Sequence, residues 1–260
     1  MGKKGVQARR PLALVTGAAS GIGRATALRL ASEGMSVVAL DRPGEGLKTL
    51  AGEDGVIHAC PFDLGRTGAI PGLVARLMRR HGAITVLVNN AGVWFSERLV
   101  EIQDRNWEMT LRVNVTAPMA LMRAVAPGMI GSGGGCIVNV ASRNGFVSSV
   151  ENTAYDASKA ALIAMTRTAA GELAQHHIRV NAVCPGVIDT PPNRELIENR
   201  RFNRSYRRLI PMDRFGLPEE IAGVVYFLTI KDAGFITGQT IVADGGQMAC
   251  QDWKRVFGME

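Results

Sequence analysis

The residues best suited to moving a proton are Tyr155 and Lys159, which stand four positions apart in the run Tyr-Asp-Ala-Ser-Lys. Residues at i and i+4 lie on one face of a helix. A free tyrosine, with a pKa of about 10, is a poor base near neutrality, but a nearby ammonium group favours the phenolate and lowers that pKa. The pair therefore predicts a general acid–base site, although an isolated Tyr/Lys pair more often marks a plain helix surface.

Two further polar residues could complete this site. Ser142 follows the apolar run 136–140, so its hydroxyl should project from the end of a strand and could hydrogen-bond a substrate oxygen. The alternative is a serine that caps a helix or belongs to a loop. Asn114 falls inside a helical pattern, where asparagine is a mediocre helix former, and from the sequence alone it could equally be a solvated side chain.

A glycine-rich turn at residues 16–23 separates the first apolar run from the first helical pattern. Gly17, Gly21 and Gly23 would permit a tight turn and let backbone N–H groups approach a pyrophosphate, whose charge a helix N-terminus favours. Any tight strand–helix turn needs glycine, so the turn alone is weak evidence. Its context predicts a dinucleotide site, because a strand precedes it, a helix follows it and the acidic Asp41 ends the next strand.

Asp41 and its neighbour Arg42 bear on which dinucleotide is bound. A carboxylate at this position can bind both ribose hydroxyls and would repel a 2′-phosphate, which favours NAD. Arg42 could instead bind that phosphate, so NADP stays an alternative. Residues 41–44 could also be a simple turn after a strand.

Short apolar runs alternate with helical patterns along the chain. Continuous apolar strands that alternate with helices imply a parallel sheet covered on both faces. We expect one Rossmann-like, doubly wound α/β domain of about seven strands, with ligands at the carboxyl ends of the strands. A kink is expected at Pro118 in a long helix. The predicted strands are 12–16, 36–40, 56–61, 84–88, 136–140, 178–183 and 240–243, and the predicted helices are 21–33, 73–80, 107–129, 155–176 and 218–228.

Composition excludes several classes of protein. The net charge of +7 is concentrated in a basic tail at residues 1–10 and in residues 191–210. The rest of the domain at 11–260 is not basic, so no nucleic-acid partner is expected. No apolar run reaches the roughly 18 residues of a membrane helix. The four scattered cysteines predict neither a metal site nor a disulfide framework, and reduced thiols indicate a cytoplasmic protein.

Jointly, these motifs resemble those of the short-chain dehydrogenase/reductase (SDR) family from about residue 11 to residue 246. The turn at 16–23 resembles its cofactor loop, the Asn-Asn-Ala-Gly run at 89–92 resembles the motif after its fourth strand, and Pro185-Gly186 resembles its turn at the nicotinamide. The resemblance implies a catalytic tetrad of Asn114, Ser142, Tyr155 and Lys159, in which Asn114 holds a water that relays protons to Lys159.

The same resemblance implies the contacts to each part of the cofactor. Asp63 and Leu64 would lie beside the adenine, Asn90 beside the adenosine ribose, and Ile188 and Thr190 at the carboxamide. The full set that it implies is Gly17, Ser20, Gly21, Ile22, Gly23, Asp41, Arg42, Asp63, Leu64, Asn90, Ala91, Gly92, Tyr155, Lys159, Pro185, Gly186, Ile188 and Thr190.

Residues 189–215 resemble the family's variable substrate lid, a segment that can close over a substrate and exclude water. Arg204 and Arg208 in this segment could bind an anionic substrate or acidic carrier, and a solvated helix face at 195–201 is the slightly favoured alternative. Trp94 and Asn144 follow strand ends and should line the pocket.

The resemblance implies an NAD(P)-dependent oxidoreductase (EC 1.1.1.-) that transfers a hydride between the nicotinamide and a secondary alcohol or ketone of the polyol, sugar or cyclic alcohol type. One alternative is an NADPH-dependent reductase of 3-oxoacyl thioesters on acyl carrier protein. This alternative is disfavoured by the acidic Asp41 and by the lack of a basic residue at position 20, which is Ser20. A non-catalytic dinucleotide-binding protein is disfavoured because the tetrad is intact. The resemblance also implies a homotetramer or homodimer.

Overall fold

The computed structural model describes residues 10–53, 55–250, 257 and 259. These residues form one parallel, seven-stranded sheet in the order β3-β2-β1-β4-β5-β6-β7. The predicted Rossmann-like α/β fold is therefore confirmed. The basic tail lies outside the described residues, apart from the exposed Arg10. The strands are β1 Leu12–Thr16, β2 Ser36–Asp41, β3 Ile57–Pro61, β4 Ile84–Asn89, β5 Gly135–Val140, β6 Ile178–Pro185 and β7 Thr240–Ala243.

Helices cover both faces of the sheet. In β1, Ala13 and Val15 belong to one hydrophobic core, and Leu12 and Leu14 belong to a second core, because successive strand residues point to opposite faces. The first core also takes side chains from α1, α2 and α9, and the second from α3, α5 and α6. The helices are α1 Gly21–Ser32, α2 Glu45–Glu53, α3 Ile70–His81, α4 Asp104–Leu111, α5 Ala117–Gly131, α6 Thr153–Leu173, α7 Arg194–Glu198, α8 Arg200–Arg207 and α9 Pro218–Thr229.

The prediction of one continuous helix over residues 107–129 is wrong, because the structure has two helices there with a π-helical turn between them. Helix α4 ends at Leu111, the residues Arg112–Thr116 form a π-helical turn, and α5 begins at Ala117. Pro118 causes this change, because it has no N–H to donate to the carbonyl of Asn114, four residues earlier. A proline is tolerated in the first turn of a helix, which is where α5 places it.

Two helical segments differ from the prediction for local reasons. Helix α2 was not predicted, since it is short and contains Gly46 and Gly52, yet Leu47 and Leu50 bury it against the sheet. The helix predicted at 195–201 is broken at Asn199, whose side chain accepts hydrogen bonds from two backbone N–H groups and so caps α8. In the described part of the chain, no helix is long and apolar enough to span a membrane.

Parallel strands bring the sequence motifs to one edge. The glycine-rich turn follows β1, Asp41 ends β2, the Asn-Asn-Ala-Gly run ends β4, and Ser142 lies just beyond β5. The strand order reverses between β1 and β4, which is the point where open α/β sheets form a crevice for ligands.

Candidate active site

Tyr155 and Lys159 stand in the first two turns of α6, facing the end of β5. The Lys159 Nζ atom lies 5.5 Å from the centroid of the Tyr155 ring and donates a 2.9 Å hydrogen bond to the carbonyl of Val140. A hydrogen bond also joins the side chains of Ser142 and Tyr155. The three polar groups therefore meet at the carboxyl edge of the sheet, where a substrate oxygen could reach both hydroxyls.

Burial dominates the electrostatics of this cluster. It raises the pKa of Tyr155, and the hydrogen bond from Ser142 opposes this effect only in part. Burial also lowers the pKa of Lys159 to about 8. Lys159 was expected to lower the pKa of Tyr155, but in the protein without cofactor that pKa is raised. The cost of burying a phenolate exceeds the stabilisation that the neighbouring groups provide. The hydroxyl of Tyr155 is protonated at neutral pH.

Asn114 connects the loop after β4 to α6. Its Oδ1 atom accepts a 2.8 Å hydrogen bond from the N–H of Val93, and its Nδ2 atom donates to the Val93 carbonyl at 2.9 Å and to Ser158 Oγ at 3.0 Å. A Cβ atom added to Gly92 would lie 3.4 Å from Asn114 Oδ1 and 3.6 Å from Lys159 Nζ. The asparagine is therefore close to the lysine, and its side-chain amide is already occupied by protein groups.

The glycine-rich turn has the shape of a phosphate cradle. Gly17 and Gly21 have φ angles of +66° and +52°, a left-handed conformation that favours glycine. A Cβ atom at Gly23 would collide with the carbonyl oxygen of Gly17. The first turn of α1 also has no acidic residue in its sequence, so its N–H groups and positive end are suited to a pyrophosphate.

Asp41 is bound to this turn through its side chain. Its Oδ2 atom accepts a 2.9 Å hydrogen bond from the N–H of Ala19, and its Oδ1 atom accepts one of 2.7 Å from the N–H of Arg42. The predicted ribose ligand therefore lies against the predicted phosphate site. The side chain of Arg42 is exposed next to it.

The segment after β6 reaches the same turn from the other side. A Cβ atom added to Gly21 would lie 3.0 Å from Thr190 Cγ2. The buried Thr190 donates a 3.4 Å hydrogen bond to the carbonyl of Ile188. The residues predicted to hold the carboxamide are thus adjacent to those predicted to hold the phosphates, as one extended dinucleotide requires.

The remaining predicted cofactor residues lie in several different environments. Asn90 and Ala91 donate their N–H groups to Thr16 Oγ1 at 3.0 Å and 3.1 Å, which ties the loop after β4 to the glycine-rich turn. Asp63 is exposed and accepts a 2.9 Å hydrogen bond from the N–H of Gly65. Gly186 packs against the residue that follows β7 instead, since a Cβ atom there would lie 2.9 Å from Asp244 Cα. Leu64 and Pro185 are buried, Ile22 is half-buried and Ser20 is exposed.

Two of the four predicted substrate residues form hydrogen bonds beside α6, and the other two are exposed on the lid. Trp94 donates a hydrogen bond from Nε1 to Asn152, just ahead of α6, and Asn144 donates one of 2.8 Å to Asp156 on that helix. Both side chains hold loops in place beside Tyr155. Arg204 and Arg208 are exposed on the lid, and the predicted contact of these arginines with a substrate stays a prediction.

Comparison with known proteins supplies the family. The family model described as Enoyl-(Acyl carrier protein) reductase matches residues 17–248. The 3-oxoacyl-[acyl-carrier-protein] reductase FabG of Thermotoga maritima is 41% identical to this chain, over 90% of this chain and 96% of its own length. The chain belongs to the short-chain dehydrogenase/reductase family. This SDR protein is therefore an NAD(P)-binding oxidoreductase, as its motifs predict.

Two solved SDR structures are similar over almost their full length. A 4-hydroxyisoleucine dehydrogenase mutant complexed with NADH and succinate has a TM-score of 0.89 and 33% identity, covering 93% of this chain and 100% of that chain. A gluconate 5-dehydrogenase from Burkholderia cenocepacia in complex with NADP and tartrate has a TM-score of 0.88 and 31% identity, covering 92% and 96%. Since these relatives hold different nucleotides, the likeness alone does not assign one to this SDR protein.

Sequence reasoning missed one polar pair near the SDR site. Arg143 Nη2 donates a 2.9 Å hydrogen bond to the hydroxyl of Tyr206, on the lid helix α8. The only signal in the sequence was the position of Arg143 directly after Ser142. The partner could not be predicted, because the two residues are 63 positions apart.

Proposed function

We propose that this protein transfers a hydride between a nicotinamide dinucleotide and the carbinol or carbonyl carbon of a small secondary alcohol or ketone. The observation that carries the proposal is the grouping of Tyr155, Ser142 and Lys159 at the edge of the sheet where the glycine-rich turn opens. When bound, the nicotinamide supplies or accepts the hydride. The protein's own residues bind the substrate oxygen and exchange its proton.

Ser142 and Tyr155 would both hydrogen-bond the substrate oxygen. In the reducing direction, Tyr155 gives its proton to the oxygen as negative charge develops there, and Ser142 stabilises that charge. The raised pKa of Tyr155 suits this direction, since it keeps the hydroxyl protonated. In the oxidising direction the phenolate must form, and the charged Lys159 would favour it.

Asn114 would contribute to the proton relay through its backbone carbonyl and not through its side chain. Its side-chain amide is engaged by Val93 and Ser158. Its carbonyl lacks the usual donor four residues later, because that residue is Pro118. We therefore assign the predicted water-holding role to this carbonyl, with Lys159 as the next group in the relay.

We propose NAD as the preferred cofactor, supported by the position of the Asp41 carboxylate against the glycine-rich turn. A second candidate is NADP, with Arg42 binding the 2′-phosphate. Titration of the protein with NADH and NADPH at matched ionic strength, followed by nicotinamide fluorescence, decides between them. Tighter NADH binding supports Asp41 as a ribose ligand, and tighter NADPH binding assigns the site to Arg42.

Two substrate classes fit the relatives equally well. The solved structures named for gluconate and 4-hydroxyisoleucine dehydrogenases support a small secondary alcohol or ketone as substrate, the class for which a polyol, sugar or cyclic alcohol type is predicted. The 41% identity to a 3-oxoacyl-[acyl-carrier-protein] reductase supports a 3-oxoacyl thioester. Turnover should therefore be measured with NAD and a panel of alcohols, and with NADH or NADPH and an acetoacetyl thioester. No turnover in either panel by protein that binds nucleotide would refute the proposal and favour a non-catalytic binding protein.

We further propose a homodimer or homotetramer in the cytoplasm. Four apolar side chains on α4 and α5 are between 36% and 41% exposed, and such residues mark a subunit contact where they form a contiguous patch: Trp107, Met109, Met119 and Ile130. Cys60, Cys136 and Cys184 are buried free thiols in the described part of the chain, which suits a reducing compartment. Sedimentation equilibrium would give the subunit number.

A further inference from the structure

Arg143 begins the 3-10 turn Arg143–Gly145, directly after Ser142. Neighbouring Cα atoms are about 3.8 Å apart, so the arginine side chain leaves the backbone next to the serine that contacts Tyr155. Arg143 is half-buried, and its guanidinium contacts the lid. Its Nη2 atom donates a 2.9 Å hydrogen bond to the Tyr206 hydroxyl. Its guanidinium therefore lies where the loop after β5 meets the lid.

Aromatic packing holds the partner of Arg143 in place. The ring of Tyr206 stacks on Phe202, with centroids 5.1 Å apart, and on Phe215 at 6.1 Å. Phe215 is buried, and the next residue, Gly216, pairs with Ile188 in the predicted carboxamide segment. The Tyr206 hydroxyl is thus fixed relative to the site. It accepts a hydrogen bond from Arg143, so its own proton is left to donate.

Arg143 is half-buried and lacks the counter-charge that two arginines near the lid have. Among the described residues, no carboxylate lies within ion-pair distance of its guanidinium, whereas Arg207 pairs with Asp213 at 3.1 Å and Arg214 with Glu220 at 2.6 Å. The nearby Asp156 is engaged by Asn144 and by the N–H of Ser149, each at 2.8 Å. A half-buried cation without a counter-ion is unfavourable, and a carboxylate would offset that cost with bidentate hydrogen bonds.

We propose that Arg143 selects the substrate by binding a carboxylate, with the Tyr206 hydroxyl as a second donor to the same group. The substrate is then a hydroxy acid, or the corresponding oxo acid, whose oxygen reaches Ser142 and Tyr155 while its carboxylate reaches Arg143. This inference rests on the proposed function and names its substrate class. It also assigns anion recognition to the loop after β5 and not to the exposed Arg204 and Arg208.

A binding experiment tests this without turnover. The protein saturated with NADH is titrated with succinate and with the neutral succinamide, and nicotinamide fluorescence is followed. The wild type should bind succinate more tightly than succinamide. Arg143→Gln should weaken succinate binding by about ten- to a hundredfold, the worth of a lost charge-assisted pair, without changing the affinity for NADH. Tyr206→Phe should cause a smaller loss, and Arg143→Lys should recover part of the affinity.

The control variant is Arg200→Gln, which removes the same charge from an exposed position of α8 and should leave succinate binding unchanged. Kinetics with NADH and either levulinate or levulinamide add a second readout. Arg143→Gln should raise KM for the acid alone. Equal binding of succinate and succinamide by the wild type, or equal losses for acid and amide in Arg143→Gln, would overturn the inference. If neither levulinate nor levulinamide is reduced, the two substrate panels above still decide the proposed function, and the succinate titration separately decides the role of Arg143.

Discussion

Burial of Lys159 should make the stability of this protein depend on pH in a way that one substitution isolates. Its Nζ atom is enclosed by protein against the Val140 carbonyl, and burial lowers its pKa from 10.5 to about 8. The unfolded chain keeps the ordinary value. Between pH 8 and 10.5, the unfolded chain therefore holds a proton at this lysine that the folded protein has lost. Linkage then requires the free energy of unfolding to rise with pH in this window.

The size of the effect follows from the same two pKa values. A fall from 10.5 to about 8 corresponds to about 3 kcal/mol across the whole window, and to about 1.5 kcal/mol between pH 8 and 9.5. Lys159→Met removes this contribution. The free energy of unfolding of the wild type minus that of the variant should therefore increase by about 1.5 kcal/mol between those two pH values, and should be constant well below pH 8.

The measurement is urea unfolding of both proteins at a series of pH values and one protein concentration, because subunit association would otherwise shift the midpoints. Lys48→Met is the matched control, since the Lys48 side chain is 77% exposed. It should follow the wild type at every pH. Parallel curves for the wild type and Lys159→Met would refute the reasoning, because they would mean that the lysine keeps its ordinary pKa in the folded protein.

Three further predictions concern the site itself. Tyr155→Phe should lower kcat by about a hundred- to ten-thousandfold and weaken NADH binding far less, since the acid–base group is lost and the ring is kept; a variant with wild-type turnover would exclude the tyrosine as the proton donor. Gly23→Ala should abolish detectable NADH binding, because its Cβ atom would meet the Gly17 carbonyl, and wild-type affinity in a fluorescence titration would show that the turn does not hold the nucleotide. Asp41→Asn should reduce the preference for NADH over NADPH in parallel titrations, and an unchanged ratio would remove Asp41 from cofactor selection.

The strands could be predicted within a residue or two because each is a short apolar run with turn residues at its ends. Leu12–Thr16 and Thr240–Ala243 match the prediction, and Ser36–Asp41 extends by one residue. Since the carboxyl ends of parallel strands share one edge, placing the strands also places Asp41 and Ser142 near the glycine-rich turn. Residues adjacent to strand ends were therefore the most predictable part of the candidate site.

Features that depend on tertiary contacts could not be predicted in this way. The raised pKa of Tyr155 reflects burial by surrounding elements, whereas the sequence shows only the lysine four positions later. The contact between Arg143 and Tyr206 joins the turn after β5 to the lid helix α8, and no local sequence pattern encodes the distance between them. The π-helical turn at Arg112–Thr116 was partly predictable, because Pro118 shows which carbonyl loses its hydrogen-bond donor. A proline alone does not show whether a helix kinks or widens into a π-helical turn.

The hydrogen bond from Ala19 to Asp41 limits how this protein could change its coenzyme during evolution or engineering. The carboxylate that would discriminate between ribose and phosphorylated ribose also holds the turn that would bind the pyrophosphate. A substitution that removes every hydrogen-bond acceptor at position 41 would therefore loosen that turn. The affinities for NADH and NADPH would then fall together, although the negative charge that disfavours NADPH is gone. Asparagine keeps an acceptor for Ala19 without the negative charge. The accessible route to a new coenzyme thus passes through amide or hydroxyl side chains before a basic residue is added nearby.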